Sequence, residues 1–240
     1  MKKAIAIFAA ILCGALTAWR ASASTALYAA TVGDAIVAAA SDPLPVAMVA
    51  DQFSVASQPS DDLELIREAC SSITTMQCDF DQQRHLALLS DSPKASGKLW
   101  FDGKQVRWEY TAPEPYLFIM DGTNVLLQGK ERRVVEIKTD RLFSRISKLA
   151  EGNNIILGQG LADIQDFDAA LTRENGVLIV ELTPTRRDFQ MLFRMVRLHF
   201  GKDYRVQRIE LLERGSDRTV ITLRNQKYNA EIPASLFEIK

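Results

Sequence analysis

Two histidines and three cysteines in 240 residues leave little material for metal or thiol chemistry. They are too scattered for the ligand spacing of a zinc site. The sequence has no Gly-x-Ser-x-Gly elbow, no glycine-rich phosphate loop and no His-Glu-x-x-His. His85 and His199 are far apart and read as structural; Asp79 and Asp81 fall on the polar side of a strand. No enzymatic activity, cofactor or metal is therefore expected. Charge of one sign is also missing. Lys and Arg number 29 against 30 Asp and Glu, which excludes a strongly basic nucleic-acid binder. With 47% hydrophobic and 25% charged residues, the composition is neither disordered nor collagenous.

Long apolar runs are absent except at the N-terminus. Lys2 and Lys3 precede an apolar stretch of 13 residues, 4–16, which is too short to span a bilayer comfortably. Ala21-Ser22-Ala23 then offers a small-x-small cleavage site. Residues 1–23 read as a signal peptide cut after Ala23, giving a secreted protein. A membrane anchor is the alternative. Acylation at Cys13 is a weaker one, because Leu12 stands where a small residue is needed. Cleavage would leave 26 basic and 30 acidic residues, a net charge of −4. Residues 24–60 hold no Lys or Arg and are rich in Ala, Ser, Val and Pro. They read as a flexible linker before a domain at 61–240.

In that domain, residues 61–73 have a helical period. Leu63, Ile66, Cys70 and Ile73 share a face, with Asp61 as cap and Glu64 three residues on. Cys70 and Cys78 can be read as a disulfide or as two small buried hydrophobes. The period then becomes two. Strands are expected from Met76, with Leu86 and Leu88 as a possible extension, then at 97–101, 105–111, 116–120, 124–128 and 132–137. After a helix at 140–150, with Leu142, Phe143, Ile146 and Leu149 on one face, strands resume at 164–171, 177–182, 192–200, 205–213 and 217–224. Asn175-Gly176 is a hairpin signal, and Gly215-Ser216-Asp217 reads as a turn. Eleven antiparallel strands must curl to bury an apolar face, and two amphipathic helices are natural covers.

Four segments in order then carry a resemblance. They are Phe80-Asp81-Gln82-Gln83, Gly97-Lys98-Leu99-Trp100, Arg107-Trp108-Glu109-Tyr110-Thr111-Ala112-Pro113 and Asp121-Gly122. Behind a signal peptide, this set resembles the periplasmic outer-membrane lipoprotein carriers, the LolA family. The resemblance implies a mainly β fold: an incomplete eleven-stranded antiparallel barrel around an apolar cavity, closed by a helical lid. It implies a monomeric, non-enzymatic carrier in a Gram-negative periplasm. Its partners would be an acylated lipoprotein cargo, an inner-membrane lipoprotein-releasing transporter and, if present, an outer-membrane acceptor. No nucleic-acid partner is implied. Ligand contacts are expected from Phe80, Leu99, Val106, Trp108, Tyr110, Leu117 and Ile119, all taken as inward-facing, and from lid residues Phe143, Ile146 and Leu149.

Two departures from the family pattern stand out. Phe101-Asp102-Gly103-Lys104-Gln105 lacks the Arg-Pro that follows the second strand in better-known carriers, so a lid latched by that Arg is not expected. Their longer C-terminal extension is not expected beyond Ile239 either. A binder of another lipid or glycolipid is the main competing function, and a structural protein with a solid core is the other. Charge is asymmetric: residues 61–183 hold 14 basic and 20 acidic groups, residues 184–240 hold 12 and 7. Such asymmetry can orient docking on a partner.

Overall fold

The structure, a computed structural model, describes residues 59–87, 92–140, 143–144, 147, 158–159, 161, 166–213 and 215–240. Helix α1 (Pro59–Ser71) leads into strands β1 (Thr75–His85), β2 (Lys94–Asp102), β3 (Gln105–Ala112), β4 (Tyr116–Met120), β5 (Asn124–Gln128) and β6 (Arg132–Glu136). After a 3-10 turn at Ile137–Thr139 come β7 (Phe167–Glu174), β8 (Val177–Pro184), the short helix α2 (Arg187–Gln190), β9 (Phe193–Phe200), β10 (Val206–Glu213) and β11 (Arg218–Tyr228). A 3-10 turn at Ala234–Phe237 follows.

All eleven strands form one open antiparallel sheet in the order β6-β5-β4-β3-β2-β1-β11-β10-β9-β8-β7. Two meanders, β1–β6 and β7–β11, are thus joined at mid-sheet by the first and last strands. The chain between β6 and β7 must pass from one edge to the other. Phe143 and Leu161 on that connection, and Ile66, Cys70 and Ile73 at α1, pack in the cluster on the sheet's inner face.

Turn chemistry fixes the hairpins. Asn175 and Gly176 both have positive φ, 51° and 79°, and Glu174 pairs with Val177, the arrangement of a two-residue hairpin turn. This hairpin carries β7 to Glu174, three residues past the expected end. β11 runs to Tyr228 rather than 224. A bulge opposite Gln77 and Asp79, with Asn225 at φ 53°, breaks the alternation there without ending the strand. β1 stops at His85, so Leu86 lies outside it, and Leu88 falls outside the described residues.

α1 begins two residues earlier than expected. Proline suits the first helical position, so Pro59 starts the helix and places Asp61 and Asp62 in its first turn, where acids suit the helix dipole. Glu64 does not complete a capping box; it accepts from Arg67 Nε at 2.8 Å. Cys70 and Cys78 are free, buried thiols rather than a disulfide. Burial raises them to about 11 and about 12 respectively. In the second expected helix, Phe143, Ser144 and Ser147 are helical, and Phe143 N–H donates to Asp140 Oδ1 at 3.2 Å. Ile146 and Leu149 lie outside the described residues.

Candidate functional site

The inner face is aromatic where β1, β2 and β3 meet. Alternation sends Phe80, Leu99, Trp108 and Tyr110 to one side, and register puts them together. Phe80 stands opposite Gly97, Leu99 opposite Trp108, and Gly97 opposite Tyr110. Gly97 is needed for this close approach. A Cβ there would lie 1.9 Å from the Glu109 carbonyl oxygen and 2.9 Å from Phe80 Cε1. Phe80 uses that space and meets Trp108 edge-on at 5.1 Å and Tyr110 at 5.0 Å, while Trp108 and Tyr110 stack at 6.4 Å. Such pairs add about 0.5–1.5 kcal/mol each beyond their area burial.

One polar pair sits within this wall. Tyr110 Oη donates to Gln82 Oε1 at 2.9 Å, and both residues are buried. Trp108 is only 2% exposed, and among the described residues its Nε1 has no hydrogen-bond acceptor. Tyr116, which meets Tyr110 edge-on at 6.3 Å, has its phenol pushed up to about 12 by burial.

Phe80, Leu99, Trp108, Tyr110 and Phe143 lie in one cluster, with Val106 partly buried against it. Leu117 and Ile119 do not face inward. On β4 the inward residues are Tyr116, Phe118 and Met120, because Phe118 pairs with Trp108 and Tyr116 with Tyr110. Leu117 and Ile119 point to the outer face and join a second cluster with Trp100, Leu126, Ile232, Leu236, Phe237 and Ile239. The error has a plain origin: Tyr-Leu-Phe-Ile-Met is apolar on both sides, so β4 carries no alternation from which to read a face. Gln82, Phe118 and Met120 also face inward. The parity of Phe80 and the pairing of β3 with β4 held the signal for them.

α1 is tied down at both ends. Asp62, buried near its start, pairs with Arg173 Nη2 of β7 at 2.6 Å. Near its end, Gln159 Nε2 donates to the carbonyls of Cys70 at 2.8 Å and Ile73 at 3.0 Å. Lys104 is exposed at the β2–β3 turn.

Residues 71–240 match the family described as outer membrane lipoprotein carrier protein LolA. The chain belongs to the LolA family. This LolA-family chain is 28% identical over 134 residues to an outer-membrane lipoprotein carrier protein of Xanthomonas oryzae pv. oryzae (strain MAFF 311018), a stretch covering 56% of this chain and 62% of that relative. Among solved structures, it resembles a LolA superfamily protein from Nitrosomonas europaea at 11% identity, TM-score 0.42, covering 77% of this chain and 99% of that one. It also resembles the Mycobacterium tuberculosis lipoprotein LppX at 14% identity, TM-score 0.41, covering 73% and 99%. At those scores the fold rests on this LolA-family chain's own strand order, not on the likeness.

Proposed function

We propose that this protein is a periplasmic carrier that shields the acyl chains of lipoproteins and moves them from the inner to the outer membrane. The observation that carries this reading is the continuous apolar inner face, which runs from Val135 on β6 to Phe167 on β7 and is covered by α1 and Phe143. Moving one CH2 between water and such a surface is worth ~0.8 kcal/mol, so acyl chains need a large apolar host. Loading requires Ile66, Cys70 and Phe143 to give way, exposing a surface that is hidden when no cargo is held. Family membership and the named Xanthomonas relative support the cargo class.

The rest of the proposal follows from this role. Residues 1–23 direct export, 24–58 act as a linker, and the carrier domain begins with α1 at Pro59. The carrier works as a monomer and performs no covalent chemistry. It receives cargo from an inner-membrane transporter and gives it to an outer-membrane acceptor where one exists.

Trp108→Glu tests the site. An unpaired charge at this position is costly to bury and would stand where acyl chains sit. Binding of a synthetic lipidated peptide should fall by roughly 100-fold, the scale of a few kcal/mol for a buried unpaired group, while far-ultraviolet circular dichroism still reports the sheet. A folded variant that binds normally removes the inner face from the mechanism. Mass analysis of lipid co-purified with the wild-type protein separates a lipoprotein cargo from a glycolipid.

A further inference from the structure

The aromatic wall leaves one donor unmatched. An indole nitrogen donates and cannot accept, so Trp108 Nε1–H needs an acceptor. Its neighbour Tyr110 has one in Gln82 Oε1, at 2.9 Å. Among the described residues, Trp108 Nε1 has none, although the side chain is 98% buried. A buried donor left unpaired is costly, and phenylalanine would fill much of the same wall without that cost.

We infer that Trp108 Nε1–H donates to the carbonyl oxygen of an ester- or amide-linked acyl chain, making it a polar anchor beside the Tyr110–Gln82 pair in a mainly apolar site. The inference rests on the acyl-carrier reading and narrows its ligand class. A plain hydrocarbon offers no acceptor. A free fatty acid offers one but brings a carboxylate charge into an aromatic wall, where burying it is unfavourable. A neutral carbonyl satisfies the donor and leaves its chain free to lie over Phe80 and Phe118, which share the inner face with Trp108.

The test compares dipalmitoylglycerol, which carries two ester carbonyls, with dihexadecylglycerol, its ether-linked counterpart without them. Each displaces a fluorescent acyl probe from the purified protein and from Trp108→Phe. The wild type should favour the ester by ~3- to 10-fold, the scale of one neutral hydrogen bond, and Trp108→Phe should lose the preference. In nitrogen–proton correlation spectra of the wild type, the Trp108 Nε1–H resonance should move downfield with the ester alone. That resonance is identified with Trp100→Phe, so the spectral arm stands even if Trp108→Phe fails to fold. Equal binding of ester and ether, or equal resonance shifts, overturns this inference and leaves the carrier reading intact. If neither lipid displaces the probe, the carrier reading fails and this inference falls with it.

Discussion

The meander of β1–β6 and the meander of β7–β11 obey the same inward–outward alternation but face water differently. Behind the first, the outer face is a second small core. Trp100, Leu117, Ile119 and Leu126 are covered by Ile232, Leu236 and Phe237. Arg107 pins the cover: its Nη1 donates to the Leu236 carbonyl at 2.9 Å, and its guanidinium lies 5.7 Å from the centre of the Trp100 ring. Behind the second, the outer face is a ladder of charges. Arg197 lies between Glu181, at 2.9 Å, and Glu174, and Glu210 pairs with Arg208 and lies 3.4 Å from His199. Strands β2, β4 and β5 of the first half are backed by this second apolar layer, although Arg107 also pairs with Glu109 there. The second half relies mainly on paired ions behind it, so it should respond more strongly to acid.

The largest stability effect should come from the first half. Phe237 is fully buried, and Phe237→Ala should cost about 3–4 kcal/mol in urea unfolding, almost unchanged between pH 7 and pH 4. Loss of acyl-probe binding out of proportion to that destabilisation would mean that the two faces are not separate.

Glu210→Gln probes the ladder. His199, then Arg208 and Arg197, hold the Glu210 carboxyl down, to about 2 from an ordinary 4.5. A depressed carboxylate stabilises the fold above its unfolded value, and that contribution is lost as pH falls from about 4.5 to about 2. The variant should be about 2 kcal/mol less stable than wild type at pH 7, with the gap closing toward pH 2. A gap that stays constant across that range would remove the ladder as the source of acid sensitivity.

The smallest effect belongs to the seam between the halves. Arg224 on β11 pairs with Asp81 on β1, but both side chains are about half exposed. Arg224→Ala should change stability by less than about 1 kcal/mol, and by less still in high salt. A larger loss, unmoved by salt, would show that this pair helps to lock the meanders together.

Strands were legible in the sequence wherever one side was polar. Val106-Arg107-Trp108-Glu109-Tyr110 alternates cleanly, so the aromatic wall could be located, though not its register. Legibility failed where both faces are buried. β4 hides which side is inner, and the cover from Ile232 to Ile239 has no period to announce it. α2, with four residues, is shorter than two helical turns and escapes any periodic signal. Its Phe189 nonetheless stacks on Phe167 at 5.3 Å. Gln82 looked like one more polar residue in Asp81-Gln82-Gln83, and only its two-residue offset from Phe80 places it inside.

The pairing of β1 with β11 also sets an order of events for a chain that emerges N-terminus first. Asn225 Nδ2 donates to Asp79 Oδ2 across 146 residues, and the neighbouring ladder is equally distant in sequence. The central seam of the sheet therefore cannot close until nearly the whole chain has appeared. Until then β1 is a bare edge eleven residues long, open to pairing with any other extended segment. Contacts of such long range also slow closure. Protection of β1 against aggregation would therefore be needed during synthesis, before the last strand arrives.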